Sequence, residues 1–225
     1  DLVFHSDGAM YFAIGGRRTQ SALYRVTWAG GDIAEKAPAQ AGKDAAKLRE
    51  LRKRLEAFHG RRDSKAVTAA FKHLGHGDRF IRYAARIAIE SQPVGEWETK
   101  VLNAKNADTI ITGAVALARS GNASTREALL NKLLSLDLAK LSERQKLELS
   151  RAYALAFIRM GEPADKNLAK RLVASLDSQY PAKGADLNRE LSQLLVFLKA
   201  PSVIGKTLAM MDTKVESTMV VDQEA

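Results

Sequence analysis

Ala116-Leu-Ala-Arg-Ser-Gly-Asn122, Ala156-Phe-Ile-Arg-Met-Gly-Glu162 and Val196-Phe-Leu-Lys-Ala-Pro-Ser202 share one pattern. Each has two or three apolar residues, a basic residue, and then a Gly or Pro two positions on. Each therefore reads as the end of an apolar helix, with Gly or Pro as the stop. The three recur at a spacing of 40 residues, and the similar Ile87-Ala-Ile-Glu-Ser-Gln-Pro93 sits 29 residues before the first. A helix-turn-helix unit repeating every 30–40 residues or so is the signature of an α-solenoid.

Working back from these segments, helical periodicity begins at Lys43. Leu48, Leu51, Leu55 and Phe58 share one stripe, with Arg49, Arg52, Lys53 and Arg54 largely off it. This is an amphipathic helix ending at His59-Gly60. A second helix is expected over 64–74, before Gly75. A third is capped by Asp78, with Ile81, Ala84, Ala85 and Ala88 on its buried face. Working forward, Ser124 is expected to start a helix at Thr125-Arg126-Glu127. Ser142 leads another, with Gln145 at the capping-box position. Trp97, after Pro93 and Gly95, is expected to open a helix as a packing anchor. Tyr24, Tyr83, Tyr153 and Met160 occupy core-like positions.

Residues 1–28 follow a different rule. Leu2 and Phe4, then Met10, Phe12 and Ile14, then Leu23, Tyr24, Val26 and Trp28 read as three strands divided by turn residues. The connection Gly15-Gly16-Arg17-Arg18-Thr19-Gln20-Ser21 reads as a polar, Gly-led loop. Residues 29–42, AGGDIAEKAPAQAG, are small, Gly/Pro-containing and aperiodic, and read as a linker. A lone antiparallel ribbon is marginal in water, so these strands are expected to belong to a larger sheet. The chain has no leader-like run at its start, and it is read as an internal stretch of a longer protein.

Composition narrows the chemistry. The 225 residues are 46% hydrophobic and 27% charged, ordinary values for a globular chain. No apolar run approaches the roughly 20 residues that span a bilayer. There is no cysteine, which excludes disulfides, thiolate catalysis, zinc-thiolate sites and thioether-linked haem within this stretch. The net charge of +9 is concentrated: residues 1–42 sum to zero, 43–92 to +7 and 93–225 to +2.

Three features are candidate sites. Arg79, Arg82 and Arg86 share one helix face and form a basic patch suited to phosphate or another anion. The competing reading makes Arg82 a packing residue within the repeat and leaves the others in solvent. The loop residues Arg17, Arg18, Thr19 and Gln20 offer donors to an acidic cofactor or substrate, or else form a plain hairpin connection. His73 and His76 flank Gly75, with no carboxylate or third histidine at a matching spacing, so no metal site is assigned. No catalytic constellation is visible.

Asp78, Ile81, Arg82, Ala84, Ala85 and Ala88 resemble the second helix of a HEAT repeat, with Arg82 expected to reach the next unit's turn. Later repeats keep the helix-end pattern without the Asp/Arg pair. The fold class is therefore mainly α, a HEAT-like α-solenoid (α-α superhelix) over 43–212, with a short β-meander before it and a tail at 213–225. More broadly, GAMYFAIGGRRTQSALYRVTW (8–28), GRRDSKAVTAAFKHLGHGDRFIRYAARIAIESQP (60–93) and DLNRELSQLLVFLKAPSVIGKTLAMM (186–211) resemble a family. These are the large exported haem-binding, dehydrogenase-like proteins of planctomycetes and verrucomicrobia.

In that family a β-propeller precedes a HEAT-like region and a cytochrome c domain with a CxxCH motif. The resemblance implies that residues 1–28 are the terminal strands of an incomplete propeller. It also implies an exported, periplasmic setting, with haem c and a quinone-type cofactor held elsewhere in the parent protein. The partners would then be the adjacent propeller and cytochrome c domains. The expected function is a non-catalytic scaffold or connector. The alternatives are a nucleic-acid-binding module through the basic helices of 43–92, or a general protein-binding one.

Overall fold

The computed structural model describes residues 2–16, 19–30 and 43–212, which divide into two compact units, 1–45 and 46–225. The first holds a three-stranded antiparallel sheet in the order β1-β2-β3: β1 Leu2–Phe4, β2 Met10–Gly16 and β3 Thr19–Val26. Asp7 makes the β1–β2 turn, its carboxylate accepting from the Ala9 N–H at 2.9 Å. Gly8 completes that turn at φ +78°, a left-handed backbone that a residue without Cβ adopts freely.

The β2–β3 ladder runs from Met10↔Val26 to Gly16↔Thr19, with an irregularity between Ile14 and Gly16. Gly15 and Gly16 thus end β2, while Thr19, Gln20 and Ser21 open β3. This corrects the loop expected over 15–21, of which Arg17 and Arg18 lie outside the described residues. Gly15, Gly16, Gln20 and Ser21 are exposed, and the strand pairing extends to Gly16↔Thr19.

Register sorts the side chains onto two faces, because successive strand residues point opposite ways. Leu2, Phe12 and Tyr24 align across the strands, as do Phe4, Met10 and Val26, and Ile14 with Ala22. That face is mostly apolar, with Gln20 at its edge, and Phe12 stacks on Tyr24 at 5.2 Å between ring centroids. The other face carries Val3, Tyr11, Arg25, Ala13 and Leu23. There Arg25 donates to Tyr11 Oη at 2.8 Å and to Asp7 at 3.2 Å, closing a polar clasp. Ala9 is the one buried apolar residue among those described in this unit, and Leu2, Phe4, Ile14, Tyr24, Val26 and Trp28 are exposed. Tyr24 is therefore a surface residue, contrary to its core-like spacing.

From Lys43 the chain is helical: α1 Lys43–Glu56, α2 Ala66–Phe71, α3 Arg79–Glu90, α4 Glu98–Leu102, α5 Ala107–Ser120, α6 Arg126–Leu134, α7 Glu143–Met160, α8 Lys166–Asp177, α9 Ala185–Phe197 and α10 Val203–Asp212. Side-chain caps mark the starts of α3, α5, α7 and α8. Asp78 accepts from the N–H groups of Phe80 and Ile81, Asn106 from Thr109, and Asp165 from Asn167. Ser142 and Gln145 form the expected capping box. Two expectations are corrected. α2 is shorter than 64–74, because residues 72–75 are turns. Ser124 does not cap: Asn122 does, opening a 3-10 turn over Ala123–Thr125, and α6 then begins at Arg126.

α3, α5, α7 and α9 pack side by side in that order. α4, α6 and α8 form a second row, α4 touching α6 and α6 touching α8. The rows join through α4–α5, α5–α6, α6–α7 and α8–α9, with α10 against α9. Between them lies one continuous core, from Leu55 through Ile81, Trp97, Leu117, Leu130, Leu149 and Leu172 to Leu194. Full burial of each such side chain is worth about 1.5–3 kcal/mol.

Trp97 is completely buried just ahead of α4, its indole N–H donating to Gln92 O at 3.3 Å. Gly113 lets α4 and α5 close up, since a Cβ there would meet Val101 Cγ1 at 2.7 Å. Tyr153 and Met160 are buried as their spacing implies, whereas Tyr83 is exposed.

Candidate interaction site

The candidate site is built on the free side of the α3–α5–α7 row. Three of its elements line one open groove of about 240 Å³, two of them with arginines: Arg79, Arg82 and Arg86 from α3, with Tyr83, then Ile111, Thr112 and Val115 from α5, and Glu148 and Arg151 from α7. Helical spacing alone puts the α3 residues on one stripe, so that part of the site follows directly from the sequence. Their acidic partners do not.

Arg82 is the buried member. Its guanidinium donates to the carbonyls of His76 at 2.9 Å and Gly77 at 3.1 Å, in the turn just before its own helix. Its other nitrogen reaches Glu148 on α7 at 3.1 Å. The expected bond to the next unit's turn is thus replaced by one to its own turn, because the carbonyls left free ahead of α3 are the nearest acceptors. Glu148 also accepts from Arg144 at 2.6 Å, and Arg144 reaches Asp108 on α5 at 2.8 Å. Those carboxylates, Asp108 foremost, push the Arg144 guanidinium further into its charged form.

A second chain of pairs runs from Arg86 through Glu90 to Arg119, the last link at 3.2 Å. A third links Arg151 to Glu190 on α9 at 3.1 Å. Arg86 also lies over the Tyr83 ring at 5.1 Å, and Arg79 over the Phe80 ring at 5.0 Å.

This geometry decides what the face can do. Arg82 and Arg86 share one face with Arg79, as their spacing requires, but their donors are directed at carboxylates and carbonyls. A polyphosphate would have to displace internal ion pairs whose acids alternate with the arginines. The groove's hydroxyls are those of Thr112 and Tyr83, and its one carboxylate, Glu148, accepts from Arg82 and Arg144. What remains is a rigid, arginine- and aromatic-rich surface of the composition found at protein contacts.

The other sequence candidates lie apart from it. Thr19 and Gln20 are in β3, and Arg17 and Arg18 are outside the described residues. His73 and His76 lie 6.2 Å apart between ring centroids. Burial, then the neighbouring cations Lys72, His76 and Arg54, push His73 down from the ordinary histidine range. The described residues hold no group of three or more His, Cys, Asp or Glu side chains placed to hold a metal.

These interhelical ion pairs were not foreseen, but three other contacts follow a spacing already present in the sequence. Arg119 and Arg159, Asn131 and Arg171, and Phe157 and Phe197 are each 40 positions apart and touch. The repeat length is thus also the spacing of contacts between neighbouring helices.

Fold and site together define a mainly helical protein with a small three-stranded antiparallel sheet and an arginine-lined helical face. Among the described residues no helix is long and apolar enough to cross a membrane. No family model, curated protein or solved structure matches the chain.

Proposed function

We propose that this chain is a HEAT-like α-solenoid connector within a multidomain, exported, haem-binding dehydrogenase-like redox protein. In this reading residues 1–28 are closing strands of a propeller. The solenoid holds that propeller in a fixed relation to a cytochrome c domain. One observation carries the proposal: among its described residues the sheet unit buries a single apolar side chain, Ala9, while the helices have a continuous core of their own. A sheet with Phe4, Ile14 and Leu23 in water, and Trp28 exposed just after it, gains stability from a second layer, and neighbouring blades would supply it. The two rows of helices and the 40-residue contact spacing support the solenoid part of the reading.

Covalent haem does not fit these residues. The sequence has no cysteine to form a thioether, so haem attachment belongs to another part of the parent protein. The role left to this stretch is mechanical, and the arginine-lined groove is a surface on which a neighbouring domain can dock.

Amide hydrogen exchange on the isolated chain tests the reading. Amides of β1–β3 are expected to exchange orders of magnitude faster than those of α5 and α7. The same strands should become protected when the upstream polypeptide is present. Equal protection of strands and helices in the isolated chain would sink the proposal. So would haem staining on a denaturing gel, or sugar oxidation by this chain alone.

A further inference from the structure

The 40-residue contact spacing allows equivalent positions to be compared along the stack. Ala116 and Ala156 are each 0% exposed, yet their equivalent Val196 is 62% exposed. Leu117 is 0% and Phe157 4% exposed, against 38% for Phe197. On the second row Leu168 is 1% exposed and its equivalent Leu208 is 58%. Side-chain chemistry has not changed along these series, since every member is apolar. What changes is the neighbour: Phe157 is covered by Phe197, ring on ring at 5.0 Å, and among the described residues no further ring stacks on Phe197. Ile204 and Met211 extend the same exposed patch along α10. Helical stacks that stop normally present a polar outer face at the last unit. This one presents the apolar face of an internal unit.

We infer that the α9–α10 face is the docking surface for one further unit of the same repeat. That unit is an antiparallel pair of amphipathic helices whose first helix lays an aromatic or leucine side chain on Phe197, as Phe197 lies on Phe157. The occupant follows from continuity with the α7–α9 interface. Arg159 donates to the Arg119 carbonyl at 3.4 Å across the α5–α7 contact, at the same 40-residue offset as Phe197 on Phe157 across α7–α9. The inference rests on the repeat reading above.

The test is a chain in which residues 173–212 are duplicated in tandem after Asp212, which keeps the 40-residue phase. Total helical ellipticity per molecule is expected to rise, and the melting temperature to increase by several degrees. Adding Val196→Glu and Leu208→Glu to the first copy is expected to abolish that gain. In the original chain the same two changes should leave the melting temperature almost unmoved, because both side chains are already exposed. No gain on duplication, or a gain insensitive to these changes, overturns the inference.

A companion variant lacking residues 121–160 separates this failure from failure of the repeat reading. If it folds cooperatively while duplication adds nothing, the repeats stand and the docking surface does not. If it fails to fold, the repeat reading itself is lost. Two other occupants would also overturn the inference. One is a second copy, seen as a dimer by sedimentation that Val196→Glu dissociates. The other is the tail, seen as destabilisation on truncation after Asp212.

Discussion

The three-stranded sheet and the helical unit are both rich in apolar side chains, but they use them in opposite ways. In the helices Ile81, Ala85, Trp97, Leu117, Leu130 and Leu172 are each at most 2% exposed. In the sheet Phe4 and Leu23 are each more than 70% exposed. The difference lies in layers. Two rows of helices close on each other and remove both apolar faces from water, whereas the described strands form a single layer that buries Ala9 alone. In the proposed reading the helices carry their own stability and the strands gain theirs from a second layer supplied by neighbouring blades.

Breaking the core should sharpen that contrast most. Trp97→Ala removes a fully buried indole and its bond to Gln92 O, and should cost about 3–5 kcal/mol. Urea unfolding followed by far-ultraviolet circular dichroism should show the whole helical transition moving, with exchange of β2–β3 amides unchanged. A shift in the strand amides would mean that the two regions share one folding unit.

Arg82→Ala comes next, at about 2–3 kcal/mol. It strips donors from the His76 and Gly77 carbonyls and leaves Glu148 with Arg144 alone. Arg82→Lys should recover only part of the loss, because an ammonium cannot span the three acceptors as a guanidinium does. Melting curves of the two variants would check this. Full recovery by lysine would reduce Arg82 to a simple charge.

The smallest effect is on pH. Burial lowers His73 below its ordinary value of 6.5, so the folded state favours the neutral ring and the unfolded chain binds more protons just below that pH. Helical stability from this group is present above pH 6.5 and falls as pH drops toward the lowered value. His73→Gln should flatten that slope in denaturation measured across the window. In the sheet, Asp7 is held below its ordinary 3.8, by the Ala9 N–H first and then by Arg25 and Tyr11. Its clasp is present above 3.8 and is lost only as pH falls through the lowered value. A common acid transition for both regions would contradict their independence.

Much of the helical architecture is legible along the chain, because it rests on short-range rules. Asp78, the Ser142–Gln145 box and the apolar stripe of α3 all act within one or two turns of helix. The misreadings have equally local causes. Asn122 outcompetes Ser124 because a 3-10 turn precedes α6. The ladder through Gly15 and Gly16 replaces a loop because strand pairing depends on the facing strand as much as on composition. Tyr24 and Tyr83 have core-like spacing, yet spacing identifies a stripe and cannot say whether anything covers it.

The sequence by itself determined the 40-residue period, the change from strand to helix near residue 43, the absence of thiol chemistry and the shared face of Arg79, Arg82 and Arg86. Only the tertiary structure decided that those arginines are largely spoken for. Glu148 lies 66 residues from Arg82 and Arg119 lies 29 from Glu90, distances over which no helical or strand periodicity reaches. It also decided which apolar stripes are covered, since burial belongs to the neighbour that packs on a residue and only indirectly to the residue itself.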